Sequence, residues 1–377
     1  MRVGIDARAL ASEAPTGVER YVISLVRGLA ELDDAPETIA YLDRPIGDRH
    51  LESVANSGPL KIRLIRARRG WLRAALPWHL WRDRVAVVHL PSTILPPLLP
   101  CPAVVTVHDL AWTRYPETYP PDDLRMQRTA VPRAVRRAAH VITCSQSTAR
   151  DVAEVLGVPA QKMTAIPLAA APEFSPDGPR LPADAFPGAD RLARGYVLHC
   201  GRLEPRKNLM RLLDAYRRAR EETAVPPLVL VGGHTEHACE LAARAKEIGV
   251  ADEVLLPGYL PASILPALYR TASICVYPSL YEGFGYPVAE AMASGTPVIT
   301  SNVSAMPEVA GDAALLVDPA SAGELASALV RLLTDGALGR DLKARGLARS
   351  REFNWLRVAG DTAAVYRRVA GEKAPGS

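Results

Sequence analysis

Residues 196–233 read YVLHCGRLEPRKNLMRLLDAYRRAREETAVPPLVLVGG, a stretch in which two short apolar runs flank a helical pattern. The run YVLHCG ends in a glycine, a basic loop follows, and Leu209–Glu222 has helical spacing before PLVLVGG begins at residue 227. A β-rich run, a helix and a second β-rich run are typical of a parallel β-α-β unit. This stretch therefore predicts a parallel sheet with crossover helices.

The same alternation extends in both directions from this unit. Toward the C-terminus it continues through VLLPG, SICVYPS, TPVIT and AALLV, the last of which ends at residue 317. The N-terminal half begins with RVGID and a helical pattern over Val18–Leu32, and its later apolar runs are VAVVHL, AVVTVHD and HVITCS. The pattern predicts an α/β protein with two doubly wound, Rossmann-like domains.

A segment rich in Pro, Gly and Asp separates the two halves and has no hydrophobic periodicity. Such a composition is typical of a linker. We expect an N-terminal domain over 1–175, a linker over 176–195, a C-terminal domain over 196–355, and a terminal helix over 356–377 that packs back on the N-terminal domain. Because ligands of such sheets bind beyond the carboxyl ends of the strands, the loops that follow the strands are the candidate sites.

Composition excludes several classes of protein. Of the 377 residues 48% are apolar and 23% are charged, which is ordinary for a globular chain and unlike a disordered or fibrous one. No apolar run reaches the roughly 18 residues of a membrane span. Asp6 and Arg8 come before any apolar signal region develops, and the scattered cysteines include no C-x-x-C pair of a zinc site. We therefore expect a reduced, cytoplasmic protein.

The small net charge of +4 conceals a basic N-terminal half. Residues 66–84, RARRGWLRAALPWHLWRDR, combine arginines with three tryptophans, and leucines recur at helical spacing. A basic segment with tryptophans indicates contact with a membrane surface, in which case the protein would lie peripherally on the inner face of the membrane. The alternative is an ordinary helix whose Trp and Leu side chains face the core. We expect no nucleic-acid partner, because no nucleic-acid-binding module is recognised.

The loop GRLEPRKN over 201–208 places Gly201 at a strand end, followed by Arg202 and Lys207. Arginine offers a planar fork of donors and lysine a mobile point charge, so this loop suits a diphosphate. A solvated basic loop is the alternative. Neither a Gly-x-Gly-x-x-Gly motif nor a P-loop occurs in the chain, which argues against nicotinamide, flavin and P-loop enzymes.

A second loop, LYEGFGYPVAEAMASG over 280–295, follows the run SICVYPS. Pro287 suits the start of a helix, and the glycines before it predict a turn whose backbone N–H groups face a phosphate. Glu290 would fall in the first turn of that helix, where the helix dipole favours a carboxylate. Glu282 precedes the glycines, so this explanation does not apply to it. Two carboxylates beside a phosphate-binding turn indicate a ligand that also carries hydroxyl groups, as a ribose and a sugar do.

The residues EGFGYPVAE, which contain Glu282 and Glu290, resemble the E-x7-E signature of retaining GT-B glycosyltransferases of family 4. GRLEPRKN resembles the diphosphate-binding segment of that family, and VVTVHDLAWTRYPETY over 104–119 resembles its mannosyltransferase-like branch. The resemblance covers both halves in the expected order. It implies a GT-B fold, in which two Rossmann-like domains face each other across a cleft, and the transfer of a hexose from a nucleotide sugar.

The resemblance also implies roles for individual residues. Glu282 would hold hydroxyls of the donor sugar and Glu290 those of the ribose, while Arg202 and Lys207 would neutralise the departing diphosphate. His108 would lie near the 6-position of the donor sugar, and backbone groups around Tyr259 and Leu260 would read the base. The implied catalytic residues are His108, Arg202, Lys207 and Glu282. The implied donor-binding residues are Gly17, Gly201, Arg202, Lys207, Tyr259, Leu260, Glu282, Gly283, Phe284, Gly285, Tyr286 and Glu290.

Several of these residues have simpler explanations. Gly17, beside Thr16, matches the family's flexible N-terminal loop but would equally serve as an ordinary turn. His108 ends an apolar strand and could be structural. Asp109 would cap a helix, and Ser145 at the end of VITCS would be an N-cap.

The expected mechanism and substrates follow from the resemblance and from one missing motif. No Asp-x-Asp motif of metal-dependent transferases occurs, so we expect neither a metal nor another cofactor. Retention through a carboxylate nucleophile is one route, but the family resemblance favours a front-face reaction in which the diphosphate accepts the acceptor's proton. We expect GDP-mannose as donor, with a dTDP- or UDP-hexose as the alternative, and a saccharide, lipid-linked or glycoside acceptor. A non-catalytic nucleotide- or saccharide-binding protein is the alternative from another class.

Overall fold

A computed structural model of the chain describes residues 1–11, 17–46, 60–67, 70–233 and 236–371. The chain forms two compact units, of which the first combines Met1–Leu168 with Asn354–Ser377 and the second is Ala169–Phe353. The divisions therefore fall a few residues before the boundaries at 175 and 355 that the sequence predicted. None of the described helices is both long and apolar enough to cross a lipid bilayer.

In the described part of the first unit, seven parallel strands form one sheet in the order β3-β2-β1-β4-β5-β6-β7. These strands are β1 Arg2–Asp6, β2 Glu37–Leu42, β3 Lys61–Leu64, β4 Val87–Leu90, β5 Ala103–Val107, β6 His140–Thr143 and β7 Met163–Ala165. The central strands are buried along almost their whole length, as expected for a parallel sheet covered by helices on both faces. The strand order reverses between β1 and β4, which is the switch point where such sheets bind ligands.

Helices and turns connect these strands. The helices are α1 Gly17–Ala30, α2 Leu76–Arg82, α3 Ala111–Arg114, α4 Pro121–Arg137 and α5 Gln146–Leu156. A π-helical turn over Trp71–Ala75 leads into α2, and 3-10 turns occur at Arg8–Ala11, Pro116–Thr118 and Ala160–Lys162.

The described part of the second unit contains six parallel strands in the order β10-β9-β8-β11-β12-β13, which repeats the first six of the other sheet. They are β8 Val197–Cys200, β9 Leu228–Val231, β10 Val254–Gly258, β11 Ile274–Tyr277, β12 Val298–Ser301 and β13 Ala314–Val317. The helices are α6 Leu209–Glu222, α7 Glu236–Glu247, α8 Leu265–Thr271, α9 Tyr286–Ala293, α10 Met306–Ala310, α11 Ala322–Thr334 and α12 Gly336–Ser350, with 3-10 turns at Ala189–Leu192, Pro205–Lys207 and Ala251–Glu253. The switch point of this sheet lies between β8 and β11.

The last helix, α13 Trp355–Ala370, belongs to the first unit and packs against α1. A Cβ atom on Gly28 would come within 2.7 Å of the Trp355 carbonyl oxygen, so a glycine permits this close helix approach. Arg367 near the end of α13 pairs with Asp34, which follows α1. The end of the chain thus supplies a structural element of the N-terminal unit.

The predicted fold class is confirmed, since each unit is a doubly wound α/β sheet. Each apolar run that the sequence identified forms a strand, and the helix over Leu209–Glu222 has the predicted bounds. Strands β2, β3 and β7 were not predicted. Both β3 and β7 are outer strands with no fully buried residue, so they lack the apolar runs that mark the central strands.

The segment 176–195, which the sequence predicts as a linker, lies within the second unit. Its apolar side chains Phe186 and Leu192 are buried. The backbone N–H of Leu181 donates to the Thr271 hydroxyl at 2.8 Å. The segment therefore packs on this unit through a few apolar residues that its Pro- and Gly-rich composition conceals.

The basic segment 66–84 contains α2, which buries one face and exposes the other. Leu76 and Leu80 are fully buried, whereas Trp78 and Trp81 are 52% and 68% exposed. Trp71, in the preceding turn, is buried. Two of the three tryptophans thus face solvent, contrary to the alternative in which all of them face the core. Arg68 and Arg69 lie outside the described residues.

Candidate active site

Two loops meet at the switch point of the second sheet, one after β8 and one after β11. The Leu280 N–H donates to the Arg206 carbonyl at 2.9 Å, and Asn208 Nδ2 donates to the Pro278 carbonyl at 3.1 Å. Asn208 has a φ of 62°, a left-handed conformation that asparagine adopts more readily than most residues, and α6 begins directly after it. The two predicted ligand loops are therefore one connected structure.

A buried cluster of charged side chains occupies this junction. Lys207 Nζ donates to Glu282 Oε1 at 2.5 Å, and Arg206 Nη1 lies 3.1 Å from Glu282 Oε2. Arg206 Nη2 donates in turn to Glu204 Oε1 at 2.6 Å. Each of the four side chains is less than one-fifth exposed. Because two carboxylates face two cations, the formal charge of the cluster is zero.

Glu282 accepts further hydrogen bonds from neutral groups at the end of β11 and on the loop that follows it. The Tyr277 hydroxyl donates to Oε1 at 2.9 Å and the Ser279 hydroxyl at 2.6 Å. Burial alone would raise the pKa of Glu282, but Lys207 and Arg206 lower it to about 2. The carboxylate is therefore ionised at neutral pH, and its orientation is fixed by four side chains.

Tyr277 is itself held by a buried histidine. The rings of His199 and Tyr277 stack with centroids 5.3 Å apart and an interplanar angle of 8°. His199 Nδ1 donates to the Val276 carbonyl at 3.2 Å, and burial lowers the pKa of His199 to about 4. A neutral imidazole thus lies against the phenol that bonds both Lys207 and Glu282.

The structure separates the two cations that the sequence assigned to the diphosphate. Lys207 is buried and contacts Glu282, which the sequence did not predict. The Arg202 side chain is 74% exposed, and its Nε lies 3.7 Å from Glu204 Oε2. Gly201 continues the strand, since its N–H donates to the Val231 carbonyl at 2.9 Å. Arg202 is thus available to a ligand, whereas Lys207 must exchange partners to reach one.

The glycine-rich turn leads into α9. Gly285 is the N-cap of this helix and has a φ of 102°, and a Cβ atom there would collide with the Met306 methyl group. Phe284 is buried and packs edge-to-face against Tyr286, whose ring centroid is 5.7 Å away. Gly283, on the other side of Phe284, is also buried.

The predicted position of Glu290 in the first turn is wrong. Because α9 begins at Tyr286, one residue before Pro287, Glu290 is the fifth residue of the helix and lies in its second turn. It is only 1% exposed.

The residues implied in base recognition lie elsewhere on the sheet. Tyr259 and Leu260 follow β10, which β9 separates from β8. Tyr259 is 55% exposed and Leu260 is buried. They therefore flank the strand ends without joining the charged cluster.

His108 follows β5 in the first unit and is neutral. Its Nε2 lies 3.1 Å from the Pro91 carbonyl, and because a carbonyl only accepts, this nitrogen carries the proton. The other nitrogen, Nδ1, is then the acceptor for the Cys144 thiol 3.4 Å away. Burial lowers the pKa of His108 to about 4, although Asp109 and the Pro91 carbonyl act in the opposite direction.

A buried hydrogen-bonded chain supports His108. The Tyr21 ring meets the His108 ring edge-to-face at 5.1 Å, and the Tyr21 hydroxyl lies 3.2 Å from Thr106 Oγ1. His89 Nε2 lies 2.7 Å from Thr106 Oγ1, and His89 Nδ1 lies 2.6 Å from the hydroxyl of Tyr366 on α13. Burial also lowers the pKa of His89 to about 3. Sequence reasoning missed this chain because its members are far apart in the sequence.

The remaining predicted residues of the first unit have local roles. Gly17 is the exposed first residue of α1, and a Cβ atom there would meet nothing within 4 Å. Thr16 lies outside the described residues. Asp109 Oδ1 accepts from the Ala111 N–H at 2.9 Å, so it bonds the first residue of α3, although the N-cap position itself is Leu110. Ser145 is confirmed as the N-cap of α5, since its hydroxyl accepts from the Thr148 N–H at 3.0 Å.

Glu204, Arg206, Tyr277 and Ser279 complete the charged cluster but were absent from the predicted site. Glu204 and Arg206 belong to the quoted loop GRLEPRKN, so the composition of that loop was the available signal. Which of its basic residues would be buried depends on the 3-10 turn Pro205–Lys207, which the sequence did not reveal. Nowhere in the part of the chain that the structure describes do three or more His, Cys, Asp or Glu side chains group as potential metal ligands.

Family models match both units of the chain. The model described as "Glycosyltransferase Family 4" matches residues 15–174, and the model described as "Glycosyl transferases group 1" matches residues 186–349. Their order agrees with the resemblance drawn from the sequence motifs. Together they cover most of the chain.

Relatives and solved structures agree with these matches. The O-antigen chain mannosyltransferase B of Escherichia coli is 30% identical over 369 residues, which cover 93% of this chain and 96% of that protein. The MMP alpha-(1->4)-mannosyltransferase of Mycolicibacterium hassiacum is 32% identical over 246 residues, which cover 63% of this chain and 56% of that protein. Sucrose-phosphate synthase from Thermosynechococcus elongatus shares the fold with a TM-score of 0.75 and 21% identity, covering 98% of this chain and 99% of that one.

A second solved structure has the same architecture. HepE of Anabaena, in complex with UDP and glucose, matches with a TM-score of 0.74 and 20% identity over 97% of this chain and 99% of that one. Similarity at this level concerns the fold alone, whereas the near full-length match to the Escherichia coli protein concerns the family. The chain therefore belongs to glycosyltransferase family 4 and is a hexosyl-transferring enzyme built on the GT-B fold.

Proposed function

We propose that this glycosyltransferase moves mannose from GDP-mannose to a saccharide acceptor, with retention of anomeric configuration and without a metal. The choice of mannose rests on the near full-length similarity to an O-antigen chain mannosyltransferase. A second relative named as a mannosyltransferase supports the same choice. The acceptor would be a growing or lipid-linked saccharide in polysaccharide assembly.

The charged cluster supplies the chemistry that the leaving group needs. In the free enzyme Lys207 and Arg206 neutralise Glu282. When the donor binds, the exposed Arg202 meets its diphosphate first, and Lys207 turns from Glu282 to the same group. Glu282 then exchanges its Lys207 hydrogen bond for hydroxyls of the sugar. Charge that develops on the departing diphosphate is stabilised by these two cations in place of a metal ion.

The proton of the acceptor passes to the departing diphosphate. The bond between the anomeric carbon and the phosphate oxygen breaks, the bond to the acceptor oxygen forms on the same face, and a phosphate oxygen takes the hydroxyl proton. His108 is a poor base for this step, because its Nε2 proton is bonded to the Pro91 carbonyl and its Nδ1 faces Cys144. Its low pKa of about 4 also disfavours proton uptake at neutral pH.

A UDP- or dTDP-hexose is the second candidate donor. One observation favours a donor that carries another hexose, namely a 28% identity over 324 residues to 2-deoxystreptamine glucosyltransferase of Streptomyces kanamyceticus. The residues after β10 that the family uses for base recognition do so through backbone groups, so their side chains do not decide between the two donors.

A panel of nucleotides and sugar nucleotides tests the proposal. We expect GDP to raise Tm more than UDP or dTDP at equal concentration, because stabilisation follows RT ln(1 + [L]/Kd). We expect GDP-mannose to be turned over in the presence of EDTA, and the anomeric signal of the product, measured by NMR, to match that of the donor.

Three outcomes contradict separate parts of this proposal. A larger Tm shift with UDP or dTDP contradicts the choice of base. An inverted product contradicts retention, and activity that EDTA removes and Mg²⁺ or Mn²⁺ restores contradicts the metal-independent mechanism.

We also propose that α2 contacts an anionic membrane surface. Trp78 and Trp81 are three residues apart and therefore lie on one face of the helix. Arg82 lies beside them, with its guanidinium carbon 4.8 Å from the Trp78 ring centroid. Arg73 and Arg84 are exposed in the same segment. Exposed tryptophans next to arginines suit the headgroup region of the inner leaflet, whose negative potential attracts basic segments.

Replacing both Trp78 and Trp81 with serine is expected to weaken binding to vesicles that contain anionic lipid by about tenfold or more, because a large apolar side chain that leaves water contributes roughly 1.5–3 kcal/mol. Cosedimentation with phosphatidylglycerol vesicles measures the change. Leu98→Ser is the control, because Leu98 is 78% exposed but lies outside the segment. Equal binding by the tryptophan variant and the unmodified protein contradicts the proposed contact.

A further inference from the structure

A series of hydroxyl side chains at the carboxyl end of β12, and in the segment just after it, bonds the backbone of the loop that carries Glu282. Each hydroxyl donates to a main-chain carbonyl oxygen, and all of the residues involved belong to the second unit. The loop is therefore joined to the neighbouring strand along its length. The donors and their carbonyl acceptors are Thr300 and Tyr277 at 2.8 Å, Ser301 and Ser279 at 2.7 Å, and Ser304 and Glu282 at 2.7 Å.

Ser304 differs from the other two hydroxyls because it holds both polar backbone groups of one residue. Its Oγ accepts from the Glu282 N–H at 2.7 Å and donates to the Glu282 carbonyl at 2.7 Å. The Ala305 N–H donates to the same oxygen at 2.6 Å, so the hydroxyl is also held from its own segment. Bonds on both sides of the Glu282 Cα atom fix the direction in which its side chain leaves the backbone.

The backbone of Ser304 adopts a conformation that costs free energy in a residue with a Cβ atom. Its φ is 57°, in the left-handed region. Among the described residues of the second unit, Asn208 is the other non-glycine with such a φ, and it bonds the same loop through the Pro278 carbonyl. Strain of this kind persists where the surrounding structure fixes the residue, and it clusters at functional sites. Both strained residues thus hold the loop that contains Glu282.

The segment that contains Ser304 also packs on the glycine-rich turn. Met306, two residues further on, is fully buried, and its methyl group fills the space that a Cβ atom on Gly285 would need. Segment 304–306 therefore contacts the loop at Glu282 and again at Gly285.

The bonds from Ser304 do not involve the Glu282 carboxylate. The carboxylate is held by Lys207 and Arg206, and in the proposed reaction Lys207 leaves it for the diphosphate. The backbone bonds need no such exchange. They can therefore keep Glu282 in one orientation both before and after the donor binds.

We infer that Ser304 is a positioning residue for the transfer reaction, because its hydroxyl holds the backbone of Glu282 and so directs the carboxylate at the hydroxyls of the donor sugar. This inference rests on the proposed function, in which Glu282 binds those hydroxyls. Ser304 acts through Glu282 and not on the sugar itself. Its loss should therefore impair recognition of the sugar and spare binding of the nucleotide.

The probe is GDP-4-deoxymannose, a donor analogue that lacks one hydroxyl of the sugar. Selectivity is the ratio of kcat/KM for GDP-mannose to kcat/KM for this analogue. We expect Ser304→Gly to lower kcat/KM for GDP-mannose by about tenfold or more and the selectivity by about fivefold or more, because a misdirected carboxylate loses the bond to the hydroxyl that only GDP-mannose carries. The Kd for GDP should change by less than about threefold, because GDP has no sugar for Glu282 to bind.

Two further variants separate the hydroxyl from the backbone strain. Ser304→Ala also lacks the hydroxyl but keeps a Cβ atom at a left-handed φ, so it should have a lower Tm than Ser304→Gly and the same loss of selectivity. Ser175→Gly is the matched control. Ser175 Oγ bonds the N–H and the carbonyl of Asp177 at 3.0 and 3.3 Å, in a segment of the second unit outside the ligand loops. It should change neither the selectivity nor the Kd for GDP.

Glu282→Gln distinguishes failure of this inference from failure of the proposed function. Loss of selectivity in Glu282→Gln but not in Ser304→Gly overturns the inference alone. Equal losses of turnover and of GDP affinity in Ser304→Gly overturn it too, because they show a purely structural effect. If Glu282→Gln keeps the selectivity, the role proposed for Glu282 fails and the inference fails with it. Turnover of a UDP-hexose in place of GDP-mannose contradicts the proposed donor, and the variants are then compared on that donor and its 4-deoxy analogue with the same result expected.

Discussion

Replacing Lys207 with methionine is expected to lower the free energy of unfolding by about 3–5 kcal/mol, the usual cost of removing one partner of a buried ion pair. Lys207 is 6% exposed and its Nζ bonds Glu282, so the substitution leaves the cluster with an uncompensated negative charge. Transfer should fall by about 10²–10³-fold, because a cation proposed to stabilise the departing diphosphate is lost. Urea unfolding and donor turnover measure the two effects.

Two further variants separate the structural from the chemical contribution of Lys207. The double variant Lys207→Met with Glu282→Gln restores a neutral cluster, so we expect it to recover much of the lost stability but none of the lost transfer. Arg202→Ala should lower transfer with little change in Tm, because the Arg202 side chain is 74% exposed. A Lys207→Met variant that is as stable as the unmodified protein contradicts the description of the cluster as a buried, balanced set of charges.

Replacing Gly232 with alanine is expected to lower the free energy of unfolding by about 2–3 kcal/mol or more, as overpacking does in a close-packed region. A Cβ atom at this position would collide with the carbonyl oxygen of Gly201 and would come within 2.8 Å of Leu203 Cγ. The first of these is backbone, so the clash is relieved only by moving the loop that carries the residues proposed to bind the diphosphate. We therefore also expect the affinity for nucleoside diphosphates to fall by about tenfold.

The adjacent glycine provides the control for this substitution. A Cβ atom on Gly233 would meet nothing within 4 Å, so Gly233→Ala should change the free energy of unfolding by less than about 0.5 kcal/mol. Chemical denaturation and calorimetric titration with GDP compare the two variants. If Gly232→Ala binds nucleotide as tightly as Gly233→Ala does, the close approach of residues 201 and 232 does not position the ligand loop.

Hydrophobic patterning was sufficient to predict the fold class. Buried parallel strands such as Val87–Leu90 and Leu228–Val231 are continuous apolar runs, and a run of this kind between turns is readily recognised. Outer strands such as Lys61–Leu64 face solvent and carry charged residues, so their formation depends on pairing with a neighbour that local sequence does not reveal.

The candidate site was predictable in location but not in its contacts. The loops that contain Lys207 and Glu282 were identified for two reasons. Both resemble ligand-binding segments of the family, and both follow the carboxyl end of a strand, where such sheets bind ligands. That Arg206 rather than Arg202 is buried against Glu282 depends on the conformation of a short 3-10 turn. Similarly, helical spacing grouped Trp78 with the leucines around it, whereas the structure buries the leucines and exposes the tryptophan.

The placement of the C-terminal helix affects how the chain folds during synthesis. The first unit requires Trp355–Ala370, which is made after the whole second unit, whereas the second unit is one uninterrupted segment of the chain. Domains usually fold in the order in which they leave the ribosome. Here the N-terminal unit is the last to be completed, because Tyr366 and Trp355 reach α1 and His89 only after the whole second unit has been translated. The segment that bears His108 therefore acquires its final support only after the second unit has been translated.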